Sequence, residues 1–153
     1  MGDPNLPKFT LRSARQDEAQ LIKTVIRAEQ LNPMNLNWRH FTLAVDERDQ
    51  LIGCVQIKQH NDGSYELASL VVLPAWRGQG VARALIEYLL ASHPGELYLT
   101  CRSSLEPFYQ KFGFRAVDLD EMTPYFRRIW RIFKVIKSLV RLPDRLSVML
   151  KNG

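Results

Sequence analysis

The chain has 153 residues, 46% hydrophobic and 24% charged, the balance of an ordinary globular domain able to bury its own core. Its formal charge of +5 is lopsided: residues 1–124 carry 13 Lys and Arg against 15 Asp and Glu, a net of −2, whereas residues 125–153 carry 8 against 1, a net of +7. Secreted, membrane-spanning, collagenous and zinc-finger classes are excluded: no apolar run reaches the ~20 residues that cross a bilayer, no basic-then-apolar leader is read at the start, and Cys54 and Cys101 stand alone.

The expected elements follow in chain order. Lys8–Arg12 alternates as a first strand, and Gln16-Asp17-Glu18 places acid in the first turn of a helix. The stripe Leu21, Ile22, Val25, Ile26 and Leu31 carries that helix to about Asn32. A connector bearing Trp38 leads to strands at Phe41–Val45 and Leu51–Lys58, joined by a charged turn. The turn Asn61-Asp62-Gly63-Ser64 precedes a strand over Tyr65–Leu73, whose end, Leu70-Val71-Val72-Leu73, reads as buried on both faces. A helix beginning at Val81 stops at His93-Pro94-Gly95, and Glu96–Cys101 is the next strand. A short helix over Leu105–Phe112 ends on Gly113 as its left-handed cap. Strands at Phe114–Val117 and Leu146–Leu150 flank a long insert. This order predicts one α+β domain over residues 1–153: a mixed, mostly antiparallel sheet flanked by helices, with one parallel crossover from Tyr65–Leu73 to Glu96–Cys101.

The segment Leu70–Arg83 carries the chemistry. A strand ends, a loop with Gly78 and Gly80 follows, and a helix begins, so the backbone can approach a ligand closely and free helix N–H groups face an anion. With Arg77 and Arg83 beside it, the loop suits a diphosphate. A plain tight turn would carry the same two glycines. Arg77-Gly78-Gln79-Gly80-Val81-Ala82 also fits the pattern Gln/Arg-x-x-Gly-x-Gly/Ala after Val72-Leu73-Pro74, and Pro107-Phe108-Tyr109-Gln110-Lys111-Phe112-Gly113-Phe114 follows about thirty residues later. Together, over residues 8–117, these motifs resemble the GNAT (Gcn5-related N-acetyltransferase) superfamily.

The resemblance implies an N-acetyltransferase that moves acetyl from acetyl-CoA, as cosubstrate, to a primary amine of a small molecule, peptide N-terminus or lysine, without a metal. It assigns the pantetheine arm to the backbone of Leu70, Val71 and Val72, and the pyrophosphate to Arg77, Gly78, Gln79, Gly80, Val81, Ala82 and Arg83. It makes Tyr109 the acid that protonates the leaving thiolate and Glu66 the base that takes the amine's proton through water. Glu66 also suits a solvent-facing strand position, and Tyr109 a core aromatic; Cys101 suits a small buried hydrophobe. His40, His60 and His93 show no pairing pattern. Arg102 stands where many members keep an asparagine that touches the coenzyme.

The insert, about residues 123–142, predicts an extra basic amphipathic helix before the last strand, with Pro124 at its start. Phe126, Ile129, Trp130, Ile132, Phe133, Ile136, Leu139 and Val140 form one broad apolar face, opposite Arg127, Arg128, Arg131, Lys134, Lys137 and Arg141. Four roles are open to it: docking on the sheet or the substrate groove, a homodimer contact, peripheral membrane contact through 125–142, or recruitment of an acidic protein. Nucleic-acid binding is disfavoured because the positive charge lies on one helix beside a neutral-to-acidic body. The expected setting is cytoplasmic and reducing, with or without that membrane contact. The alternative in another class is a non-catalytic acyl-CoA sensor or membrane-surface scaffold.

Overall fold

The computed structural model describes residues 8–140 and 144–153. Its strands are β1 (Phe9–Ser13), β2 (Phe41–Asp46), β3 (Leu51–Gln59), β4 (Tyr65–Val72), β5 (Leu97–Arg102), β6 (Arg115–Ala116) and β7 (Leu146–Lys151). The helices are α1 (Ala19–Ala28), α2 (Val81–Ser92), α3 (Glu106–Gln110) and α4 (Pro124–Leu139). The strands are hydrogen-bonded in the order β1-β2-β3-β4-β5-β7-β6. β4 and β5 run parallel, with Glu66 opposite Tyr98, whereas β1–β2, β2–β3, β5–β7 and β6–β7 are antiparallel. The expected mixed sheet flanked by helices is borne out.

Several boundaries are tighter than the pattern suggests. The first helix begins as a 3-10 turn at Gln16–Glu18 and ends at Ala28, not Asn32. Gln30 turns left-handed (φ +57°) and the Leu31 N–H bonds back to the Ile26 carbonyl at 3.1 Å, a Schellman-type stop. The helix expected over Leu105–Phe112 is a 3-10 turn at Ser103–Leu105 followed by five α-helical residues, and the strand expected over Phe114–Val117 keeps only Arg115 and Ala116. The apolar run closing β4 is not buried throughout. Val71 is buried, whereas Leu70, Val72 and Leu73 are half-buried, leaving apolar surface available.

The chain packs as two units. The first runs through Ile57 and takes in Ser69–Ser92. Its core sets Ile22, Val25 and Ile26, spaced on one face of α1, against Phe41, Leu43 and Val45 of β2, Cys54 and Val71. Helix α2 buries Val81, Leu85, Ile86 and Leu89. At Gly53, β3 comes so close to β4 that a Cβ would lie 2.8 Å from the Val71 carbonyl oxygen. The second unit comprises Lys58–Ala68 and His93–Gly153. There Tyr98, Val148 and Leu150 form a floor with Val117, Met122 and Phe126, and the Phe126 ring stacks on Tyr98 at 4.5 Å. Burying Phe126 completely contributes about 1.5–3 kcal/mol and fixes the start of α4.

Candidate active site

In the first unit, Pro74–Trp76 turns as a 3-10 helix after β4, and Gly78 (φ +76°) and Gly80 (φ +82°) carry the chain into α2. Both glycines are needed for these left-handed angles. A Cβ on either would meet nothing within 4 Å, so the main chain of the loop is open to approach. The first α2 bond runs from the Ala84 N–H to the Gly80 carbonyl at 3.0 Å, so the N–H groups of Val81, Ala82 and Arg83 precede the helical ladder. The flanking cations are partly engaged. Arg77 reaches the Val72 carbonyl at 3.2 Å and Glu29 at 3.3 Å, and Arg83 pairs with Glu87 at 2.9 Å.

Upstream, Ser69 adopts a left-handed backbone (φ +58°) inside β4, just before Leu70, Val71 and Val72. Gln56 Nε2 donates to Ser69 Oγ at 2.8 Å, and Cys54 Sγ donates to the Ser69 carbonyl at 3.5 Å. Gln56 is fully buried, and its Oε1 lacks a partner among the described residues. A non-glycine residue holding such angles in a strand needs support from its surroundings, and Gln56 provides it. Nothing in the local sequence marks this kink; only Gln56, a polar residue inside an apolar strand, hints at it. Burial pushes the Cys54 thiol up to about 12, partly offset by the Val71 N–H.

In the second unit, Glu66 is buried and hydrogen-bonded to His60 Nε2 at 2.8 Å. The His60 ring stacks on Tyr125 at 3.5 Å and meets Phe126 edge-on at 5.6 Å. Glu66 therefore does not lie open to solvent, and the histidine with no pairing pattern is its partner. The turn that brings the two together is held by Asp62, whose carboxylate accepts the N–H of Ser64 at 2.9 Å and the N–H of Tyr125 at 3.0 Å. Burial works against that carboxylate, but hydrogen bonds from the Ser64 hydroxyl and from the backbone outweigh it and hold Asp62 well below the usual range. Asp62 thus caps α4, a role for which Thr123 supplies no side-chain bond.

Tyr109 lies on α3, 8% exposed, against Phe108 and Phe114. Burial, then the nearby Cys101, pushes its phenol up to about 12, so it holds its proton at neutral pH. Among the described residues, no protein acceptor takes the hydroxyl. Cys101 is buried with its Sγ 3.8 Å from Met149 Sδ, and burial followed by Glu106 raises its thiol to about 11. It packs as a small hydrophobe. Arg102 is exposed at the end of β5.

The apolar side of α4 is two faces rather than one. Phe126 is buried and Ile129, Trp130 and Phe133 are half-buried, while Ile132, Val135, Ile136 and Leu139 form an exposed stripe; Val140, expected on the same face, follows the helix in an extended conformation. At 100° per residue the eight apolar positions span more arc than one packing surface can cover. Arg141 and Leu142, the end of the expected helix, lie outside the described residues. Among the described residues, no helix is long and apolar enough to cross a membrane, and no cluster of three His, Cys, Asp or Glu could hold a metal.

The profile of the Acetyltransferase (GNAT) domain matches residues 10–124, most of the chain. The chain belongs to the GNAT acetyltransferase family. The kinship inferred from the two glycine-containing motifs is thereby borne out. Solved structures agree on the fold. N-acetylglutamate synthase from Neisseria gonorrhoeae, complexed with coenzyme A and N-acetyl-glutamate, matches 94% of this GNAT chain at 18% identity with a TM-score of 0.71. This chain spans only 34% of that one. Rv2747 from Mycobacterium tuberculosis, crystallised with CoA, matches 94% of this chain and 99% of its own at 18% identity and a TM-score of 0.70. Arabidopsis thaliana Naa50, bound to the bisubstrate analogue CoA-Ac-MVNAL, matches 95% and 99% at 19% identity and a TM-score of 0.62.

Proposed function

We propose that this GNAT domain is an acetyl-CoA-dependent N-acetyltransferase acting on a primary amine. The observation that carries it is the loop of Gly78 and Gly80: main-chain N–H groups, open room and a helix N-terminus in the motif that gives the family its diphosphate site. Acetyl-CoA supplies the reactive thioester. Residues Arg77 to Arg83 hold the pyrophosphate, and the half-buried Leu70 and Val72, with Val71, line the pantetheine arm. A primary amine is mostly protonated at neutral pH, so attack needs a base; Glu66 takes that proton through water, with His60 orienting its carboxylate. Tyr109, still protonated at that pH, returns a proton to the departing sulfur. No enzyme nucleophile is required. The relatives bound to N-acetyl-glutamate and to a peptide-bearing analogue support an amine on an amino acid or peptide. Calorimetry with acetyl-CoA, followed by thiol release across a panel of amines, tests this; binding without release across the panel leaves a sensor instead.

A second role, peripheral contact with an anionic bilayer, is favoured by the exposed stripe on α4. It runs at helical spacing on an element with five cations and no acid. Co-sedimentation with phosphatidylglycerol but not phosphatidylcholine vesicles is the expected result.

A further inference from the structure

The second unit contains a cleft of about 460 Å³ between α4, β6 and β7. One wall is apolar: Val117, Val148, Leu146, Trp130 and Phe133. Three cations, Lys134, Lys137 and Arg145, line the same space. Among the described residues none of the three is in an ion pair, and Lys134 instead lies over the Trp130 ring at 5.0 Å. A single acid, Glu106, completes the lining and accepts a hydrogen bond from the Ser147 hydroxyl.

Like charges gathered around a concave, partly apolar space raise the local positive potential and draw in an anion. The size suits a small molecule, an amino acid or dipeptide among them. The arrangement of charge is more selective than size. Three cations call for carboxylate, one acid tied to a serine calls for an ammonium group, and the aromatic wall calls for an apolar side chain. One residue of the lining shares an element with a catalytic candidate of the same unit. Glu106 sits one helical turn before Tyr109 on α3.

We infer that this cleft holds the acceptor, and that the acceptor is a small amine bearing its own carboxylate and an apolar side chain, such as an apolar amino acid or dipeptide. The inference rests on the acetyltransferase reading for the fate of that amine, but not for its binding. Polyamines and lysine-rich tails are the acceptors this charge pattern rejects, since they bring cations to cations.

Two measurements decide it. In the first, thiol release from acetyl-CoA is followed with L-phenylalanine, L-phenylalaninamide, phenethylamine and spermidine. The expected kcat/KM for the acid exceeds that for the amide by about tenfold or more, with spermidine poorest. In the variant Lys134→Ala/Lys137→Ala/Arg145→Ala the acid-to-amide ratio should fall towards one, through KM. Equal use of acid and amide, or a ratio unmoved in that variant, overturns the inference. The second measurement needs no acetyl-CoA. With Trp38→Phe and Trp76→Phe, Trp130 is the sole tryptophan, and its emission should change saturably with L-phenylalanine and not with the amide. No saturable change, or an equal one with the amide, overturns the cleft as a carboxylate site even if acetyl transfer stands. Failure of acetyl-CoA to bind with the Trp130 response intact overturns the acetyltransferase reading alone.

Discussion

The Gly78–Gly80 loop and the Glu66 region, the two parts of the proposed site, are built of different materials. Residues 77–83 offer main chain: two left-handed glycines, N–H groups ahead of the helical ladder and open space. The Glu66 region works through side chains brought from far apart: His60 and Glu66 across a turn, with Tyr125 laid over the histidine from a helix about sixty residues further on. A site made of backbone tolerates surrounding change but not a change of its glycines. A site made of side chains fails by degrees as each partner is removed. The difference can be broken or sharpened by substitution.

The largest effect is expected at Gly80→Asp. It adds a side chain at φ +82° and sets a carboxylate where phosphate would lie, so acetyl-CoA affinity should fall by about a hundredfold or more in calorimetry. Gly63→Asp is the control. Its φ is +84° and its surroundings are equally open, so it bears the same backbone strain outside the loop and should leave affinity intact. Equal losses in both would mean that strain, not the anion site, is being measured.

Tyr109→Phe comes next. The ring keeps its packing against Phe108 and Phe114, so acetyl-CoA affinity should hold while kcat drops about a hundredfold, the usual loss for a general acid. Unchanged turnover would leave Tyr109 as a core aromatic. For Glu66→Gln, which preserves shape and a partner for His60, a kcat loss of about ten- to a hundredfold is expected. His60→Phe keeps a ring against Tyr125 but removes the hydrogen bond, and its smaller loss would measure orientation alone. If neither variant affects turnover while both lower Tm, Glu66 serves the docking of α4 and the base lies elsewhere.

How far each region is legible from sequence follows from the same contrast. Strands and helices with strong periodicity are read correctly because burial of one face is a local pattern, as in Ile22, Val25 and Ile26 of α1. The left-handed loop is legible because glycine at 78 and 80 records a backbone requirement in the chain itself. The His60–Glu66 pair is not, because neither residue differs locally from a solvent-facing one; the pairing exists only once the turn at Asp62 has formed and Tyr125 has docked. The kink at Ser69 is hidden for a similar reason, since its support comes from Gln56 on a neighbouring strand. The division of α4 into a docked and an exposed face depends on how much arc the underlying sheet covers, which helical spacing does not contain.

The smallest effect is the most informative about that docking. The Asp62 carboxylate caps the first turn of α4 through the Tyr125 N–H, where the helix dipole favours negative charge. Asp62→Ala should cost about 1 kcal/mol, the usual worth of such a cap, read as a lower midpoint in urea unfolding. The pH dependence has a definite sign. Because the folded carboxyl lies below its unfolded value of about 3.9, its contribution is fully present above that pH and fades as pH falls through the folded value. The gap between wild type and Asp62→Ala should therefore be constant near neutrality and close only in strong acid. Asp62→Asn removes the charge and, with one amide oxygen, serves either the Tyr125 N–H or the Ser64 N–H but not both, so it should recover only part of the stability over Asp62→Ala, with no closing of that difference in acid. A wild-type gap that stays open at low pH would mean that the hydrogen bond alone, without the charge, anchors α4 beside Glu66.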